Sequence, residues 1–248
     1  MNGLEPFQLG LILAAIFLSG VLRGLTGFGF AIAAVPLLSL VLEPRAAVAT
    51  VVLLQLAIGL IDAPKAWGEA WRAPLPWLIA GAVVGTPAGM AALRLLPADP
   101  ARLIAASAAA LALAAVWRGP ARSDLPRAHP GCVGLASGLL NGLAAMPGPP
   151  VVAHVLNAPV GEAAARAALI VFFAATAVLA TISGAALGVL GWPDAALAAT
   201  GLPALLAGAA LGAWLFRRGP PTLYRRSALA VLAVSALAAG LKGLAGLA

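Results

Sequence analysis

Long uncharged stretches follow one another along the chain, and charged residues fall between them. These stretches cover 6–22, 24–42, 46–61, 73–93, 103–117, 130–161, 167–193, 195–216 and 227–241. A helix that crosses a bilayer needs about 20 apolar residues, at about 1.5 Å per residue. Most of the stretches approach or exceed that length, so the pattern predicts an all-α polytopic integral membrane protein. An outer-membrane barrel is excluded, because its strands alternate apolar and polar residues.

Breaks rich in glycine and proline divide these stretches into helices of unequal length. We predict helices over 6–22, 28–42, 46–62, 74–95 and 102–117, then a polar segment, then helices over 131–143, 149–157, 164–190, 195–216 and 223–245. The pieces at 131–143 and 149–157 would be about 20 Å and 14 Å long, too short to span a bilayer. They therefore predict a re-entrant helix pair.

The order of elements is duplicated. A shift of 118 residues places SGVLRGL (19–25) on SGLLNGL (137–143) with five identities in seven positions. A shift of 127 places PWLIAGAVVG (76–85) on PALLAGAALG (203–212) with six identities in ten. We therefore predict a first transmembrane repeat over 1–120, a linker over 121–130 and a second repeat over 131–248, each with one broken or re-entrant pair.

The loop charges predict how the two repeats are oriented. The richest loops carry Lys65 and Arg72, then Arg118 to Arg127, then Arg217 to Arg226. Under the positive-inside rule all three face the cytoplasm, which makes the repeats inverted relative to each other and puts the linker inside and both termini outside. The net charge of +7 does not indicate nucleic-acid binding, because the cations form small groups at helix ends instead of a basic face.

In transporters built from inverted repeats, the helix breaks near the bilayer centre bind the substrate. Helix N-termini at such breaks present free N–H groups and partial positive charge, which suits an anion. The first break supplies these candidate substrate-binding residues: Arg23, Gly24, Thr26, Gly27, Phe28 and Gly29. Two alternatives stay open: Gly20 and Gly24 also fit small-residue helix packing, and Arg23 also fits a partner for the C-terminal dipole of its own helix.

The second break supplies Asn141, Gly142, Pro147, Gly148 and Pro149, with Asn141 as the repeat counterpart of Arg23. Three further candidates are polar residues in apolar surroundings: Gln55, His154 and Arg166. His154 fits a proton carrier or a buried structural histidine equally well. Arg166 fits a loop anchor or a site residue, and Gln55 a ligand or an interhelical hydrogen bond.

No motif for an ATPase, metal, redox or serine-hydrolase site occurs, and the chain has one cysteine, Cys132. We therefore predict a protein that is not an enzyme, without cofactor or metal, whose partners are a small anionic substrate and the lipid bilayer. A passive anion channel is the alternative to a transporter. Proton coupling and self-association into a homo-oligomer stay open.

Two segments resemble the signature regions of the sulfite exporter TauE/SafE family. They are RGLTGFGFAIAAVPLLSLVL followed by EPRAAVA, and SGLLNGLAAMPGPPVVAHVL followed by EAAARAALIVFF. The resemblance covers nearly the whole chain. It implies a secondary transporter of about eight helices in the bacterial inner membrane, for sulfite, sulfonates or other small sulfur-containing anions. One departure is that the second region reads AAM before PGPP, where the family is often glycine-rich.

Overall fold

The computed structural model describes residues 5–26, 29–101, 103–104, 106–108, 110, 128–156 and 158–218. This part of the chain is helical and contains no strand, which confirms the all-α prediction for it. Its helices are α1 (Pro6–Thr26), α2 (Phe30–Leu38), α3 (Pro44–Ala66), α4 (Leu75–Leu95), α5 (Pro130–Ala144), α6 (Gly148–Leu156), α7 (Glu162–Ala186) and α8 (Trp192–Arg218). Residues 98–101 are also helical.

Five of these helices, α1, α3, α4, α7 and α8, are long and apolar enough to cross a membrane. By contrast, α2 and α6 have nine residues each. This gives about 14 Å of helix, about half of the thickness of the hydrocarbon core of a bilayer. The helix predicted over 223–245, most of the one predicted over 102–117 and most of the linker lie outside the described residues.

The first helix is longer than its sequence predicts. We expected a break at Arg23, but α1 continues to Thr26, so Arg23 lies in its last turn. Gly24 is accommodated inside this helix because it packs directly against the backbone of Ala209 and Gly212 on α8. The break is therefore confined to the short segment before α2.

The short helix α2 lies inside the protein. Eight of its nine residues are buried, from Phe30 to Pro36 and Leu38. Non-helical backbone at membrane depth is stable only where protein or a water-filled cavity surrounds it. The described residues of α2 are enclosed by protein on nearly every side.

Two glycine-rich interfaces hold the long helices together. Gly20 and Gly24 of α1 face Gly208 and Gly212 of α8, close enough that a Cβ at Gly20 would lie 2.7 Å from the carbonyl oxygen of Leu205. The same kind of interface joins α4 to α5, through Gly81, Gly85 and Gly89 on one side and Gly134, Gly138 and Gly142 on the other. In each pair, the residue numbers of both helices rise in the same direction along the interface. Therefore α1 runs parallel to α8, and α4 runs parallel to α5.

The helices α3 and α7 run in opposite directions at the centre. Gly59 of α3 lies against Ala174 of α7, and beyond the end of α3 the N–H of Trp71 donates to the carbonyl oxygen of Ala164 at 3.2 Å. Met90 near the end of α4 lies close to Gly184 near the end of α7, and Leu75 at the start of α4 shares a buried cluster with Ala165 at the start of α7, so α4 runs parallel to α7. The end of α3 and the start of α7 therefore lie at one end of the molecule, and the end of α1 joins them there because Arg23 in its last turn contacts Asp62 near the end of α3.

Large apolar side chains cover much of the outside. Phe7 and Leu18 of α1, Trp77 and Val84 of α4 and Ile182 of α7 are each more than half exposed. Exposed apolar surface of this extent is typical of a surface that contacts lipid or another protein. It fits the five candidate membrane spans.

Candidate functional site

A cavity lies where the two breaks meet, and we call it the central cavity. Its lining consists of Arg23, Gly29, Phe30, Ala31, Ile32, Gln55, Ile58, Gly59, Met146, Pro147, Gly148, Ile170, Phe173 and Ala174. Its volume is about 60 Å³. Because about 10–15 Å³ already holds one water molecule, the central cavity accommodates several waters or an anion of a few heavy atoms.

Arg23 contributes the one charged side chain that lines the central cavity within the described part of the chain. Its Nη2 donates to Oδ2 of Asp62, on α3, at 2.6 Å. The side chains of Arg23 and Asp62 are only 17% and 28% exposed, so this is a partly buried ion pair that water screens incompletely. The guanidinium has further N–H donors in its planar fork, which remain available to a second acceptor.

The start of α2 presents backbone N–H groups to the central cavity. Gly29 precedes α2 with φ 97° and ψ 0° and makes no side-chain capping bond. A left-handed φ of this size is readily adopted by glycine alone among common residues, so the turn requires Gly29. The first N–H groups of α2 have no partner within the helix, and its positive dipole end points to the cavity.

The start of α6 reaches the same space from the second break. Pro149 and Pro150 follow Gly148 and have no N–H group, so only Gly148 and Val151 carry a donor among the first four positions of α6, whose N–H groups have no partner within the helix. A Cβ on Gly148 would meet nothing closer than 3.8 Å. Helix packing therefore does not require glycine there, unlike at Gly24, and a Cβ would be in ordinary contact with the side chains of Ile32 and Phe173, which line the cavity.

Gln55 connects α3 to the second break. Its Nε2 donates to the carbonyl oxygen of Ala145 at 3.1 Å, and Ala145 ends α5 in the left-handed conformation with φ 55°. The buried Oε1 atom of Gln55 has no hydrogen-bond partner among the described residues. Gln55 thus fixes the turn after α5 and leaves an acceptor beside the central cavity.

Five of the candidates predicted from sequence line the central cavity: Arg23, Gly29, Gln55, Pro147 and Gly148. Gly142 instead packs against the backbone of Thr86 and Met90 on α4, as Gly24 packs on α8. Asn141 is buried, and its Nδ2 donates to the carbonyl oxygen of Thr176 at 2.8 Å, while its Oδ1 has no partner among the described residues.

The remaining candidates lie elsewhere. Thr26 ends α1, and Gly27 and Phe28 lie outside the described residues. Pro149 and His154 belong to α6 but do not line the central cavity. Arg166 lines a second, wider space of about 540 Å³ at the end of α3, which we call the vestibule; its other lining residues are Asp62, Lys65, Ala66, Glu69, Ala163, Ala167 and Ile170.

Sequence reasoning treated Asp62 only as a polar position in a spanning helix, and it missed the ion pair with Arg23. A usable signal was present in the spacing. Gln55, Gly59 and Asp62 follow one another at four and three residues along α3, which places them on one face of the helix. The apolar lining residues Ile58, Met146 and Phe173 carried no comparable signal.

One comparison with known proteins identifies a family. A model of the family described as Sulfite exporter TauE/SafE matches residues 12–239, which is nearly the whole chain. Among curated proteins and solved structures, by contrast, no match to the chain is found.

Proposed function

The chain belongs to the sulfite exporter TauE/SafE family, and we propose that it transports sulfite, a sulfonate or a related small sulfur-containing anion through the central cavity. The family consists of membrane transporters and not of enzymes, so the chain is a membrane transport protein. The substrate, the transport mechanism and the bacterial inner membrane as its location form the proposal.

One observation carries the substrate class: Arg23 and the first turns of α2 and α6 meet at a single small cavity. Two helix N-termini and a guanidinium concentrate positive potential there. An oxyanion of a few heavy atoms matches both the charge and the volume of the cavity. The planar guanidinium would bind two oxygens of such an anion, and the backbone N–H groups would bind the others.

Reciprocal helix contacts support two inverted repeats. The segment 19–25 packs on 203–212 in the α1–α8 interface, and their repeat counterparts 137–143 and 76–85 pack on each other in the α4–α5 interface. Each matched segment thus contacts a helix of the other half. Because α3 and its counterpart α7 run antiparallel, the operation that relates one half to the other must reverse the direction of the helices and cannot be a simple translation.

This arrangement supports alternating access. Two short helices, α2 from the first half and α6 from the second, begin at the central cavity. A rocking of one half against the other would therefore expose the cavity to each side of the membrane in turn. The central cavity would hold the anion while the halves move. A passive channel would use the same breaks without an occluded state.

Arg23 variants test the substrate site. We expect Arg23→Gln to weaken sulfite binding by about 30-fold or more, because removing one member of a buried charge pair costs about 2 kcal/mol or more. Arg23→Lys should weaken it less, since lysine keeps the charge and loses the planar fork. Titration calorimetry of the purified protein with sulfite, sulfoacetate, taurine and thiosulfate measures both effects and ranks the substrates.

The matched control is Arg45→Gln, the same substitution at an exposed arginine near the opposite end of α3, which should leave binding unchanged. Melting temperatures of the same samples separate a lost site from a lost fold. Normal sulfite affinity in folded Arg23→Gln would remove Arg23 from the site. In proteoliposomes, acceleration of uptake by substrate on the far side would support a carrier, and its absence a channel.

A further inference from the structure

The Arg23–Asp62 ion pair lies between two spaces. Arg23 lines the central cavity, and Asp62 lines the vestibule. Ile170 of α7 lines both, so the two spaces are neighbours along α7 and the ion pair stands beside the boundary. An anion that passes from the vestibule to the central cavity would meet this ion pair.

The bonding at this boundary is the kind that an oxyanion can replace. The Asp62 carboxylate accepts one charged hydrogen bond from Nη2 of Arg23, at 2.6 Å. Sulfite and sulfonate groups also present anionic oxygens, and guanidinium binds such oxygens in the same geometry. In the described conformation, therefore, a carboxylate of the protein occupies part of the planar fork of Arg23, and an anion that binds this fork through two oxygens would compete with Asp62.

The vestibule provides cations for both partners in such an exchange. Lys65 lies three residues after Asp62 on the same helix, and Arg166 lines the vestibule from α7. Both side chains are exposed. They are the cations that an incoming anion or a displaced Asp62 carboxylate would meet, while Glu69 adds a negative charge to the same lining.

We propose that the Arg23–Asp62 ion pair is a gate between the vestibule and the central cavity, and that the substrate anion opens it by replacing Asp62 at the guanidinium of Arg23. This inference rests on the proposed function for the identity of the anion. The gate itself depends only on the ion pair and on the two spaces that it separates.

The first experiment measures competition. Asp62→Asn keeps the shape of the side chain and removes its charge, so Arg23 is free to bind an anion. We expect purified Asp62→Asn to bind sulfite roughly tenfold more tightly than the unmodified protein, within the range usual for coupled equilibria. The double variant Arg23→Gln/Asp62→Asn should bind as weakly as Arg23→Gln. Glu43→Gln, the same carboxylate-to-amide change at an exposed residue before α3, should leave affinity unchanged.

The second experiment measures access without any substrate. Ala31 lines the central cavity and is buried, so in a Cys132→Ala background Ala31→Cys reports whether a small methanethiosulfonate reagent reaches the cavity. We expect Asp62→Asn to accelerate its modification and Glu43→Gln to have no effect. The double variant Arg23→Gln/Asp62→Asn leaves neither charge unpaired, and it should be modified as fast as Asp62→Asn, which keeps the test valid if the single variant does not fold.

Two results would overturn the gate. One is a loss of sulfite affinity in Asp62→Asn as large as in Arg23→Gln, which would make Asp62 a residue that only positions Arg23. The other is an unchanged modification rate at Ala31→Cys in both variants. If modification accelerates while no variant binds a sulfur oxyanion, the gate stands and the proposed substrate fails. If sulfite binds normally and Asp62→Asn changes neither readout, the proposed function stands and the gate fails.

Discussion

Ala145 is the one non-glycine residue with a left-handed backbone among the described residues, with φ 55° and ψ 24°. It ends α5, and its own N–H donates to the carbonyl oxygen of Asn141 at 2.7 Å. This pattern of helix ending commonly has glycine at the left-handed position. An L side chain there costs about 1–2 kcal/mol, and the bond from Gln55 holds the strained turn in place.

Ala145→Gly should therefore stabilise the protein by about 1 kcal/mol, because it removes the strain of the left-handed residue. Ala144→Gly, one position earlier and fully buried within α5, should destabilise it by a similar amount, because glycine lowers helix stability by about 1 kcal/mol. Thermal unfolding of the purified protein in detergent measures both. A lower melting temperature for Ala145→Gly would contradict the strain.

Individual site residues were predictable from sequence to different degrees. Gly29, Pro147 and Gly148 could be predicted, because glycine and proline affect the backbone wherever they stand. The ion pair of Arg23 could not, since Asp62 lies 39 positions later and only the packing of α1 and α3 brings the two together. The same holds for Gln55, whose partner Ala145 lies 90 positions away.

At the scale of helices, the interface between α1 and α8 depends on the absence of side chains. Gly20 lies where a Cβ would come within 2.7 Å of the carbonyl oxygen of Leu205, and backbone cannot yield as a flexible side chain can. Close approach of this kind is the main source of helix association in membranes, where hydrophobic burial between helices contributes little.

Gly20→Ala should thus lower the free energy of unfolding by about 1–3 kcal/mol, the usual cost of overpacking. Gly138→Ala, its counterpart in the α4–α5 interface, should behave alike, since its Cβ would lie 2.9 Å from the backbone of Ala82 and Thr86. Gly10→Ala is the matched control within α1, because nothing lies within 4 Å of that position. Melting temperatures that do not differ between Gly10→Ala and Gly20→Ala would argue against the tight interface.

Helix positions were predictable because charges, prolines and glycines end the apolar runs. The predicted bounds of α4 and α5 differ from the observed ones by one residue. The ends of α2, α3 and α7 each differ from prediction by four residues, and α1 likewise extends four residues beyond its predicted end at Leu22. The charge of Arg23 suggested a helix end, but its pairing with Asp62 and the packing of Gly24 let the helix continue, and both causes are tertiary.

At the scale of the molecule, positive charge is concentrated at one end. The ends of α3 and α8, the start of α7 and the loop after α3 carry the following cations: Lys65, Arg72, Arg166, Arg217 and Arg218. Arg72 lies over the ring of Trp67 at 5.0 Å, and Arg218 over that of Trp214 at 4.6 Å. Pairs of tryptophan and arginine suit the boundary between lipid and water. The opposite end carries Arg45 and Arg94. There, Nη2 of Arg45 donates to the backbone carbonyl oxygen of Arg94 at 2.9 Å.

The positive-inside rule then predicts that the end with Lys65 and Arg72 faces the cytoplasm. Two exposed glycines at opposite ends allow a matched test: Gly68 in the loop after α3 and Gly191 in the turn before α8. In a Cys132→Ala background, an impermeant maleimide added to intact cells should label Gly191→Cys and should label Gly68→Cys only after permeabilisation. The reverse labelling pattern would mean that the protein has the opposite orientation in the membrane. The vestibule beside Lys65 and Arg166 would then face the outside. The predicted orientation instead opens the vestibule to the cytoplasm, which is the side from which an exporter must collect its anion.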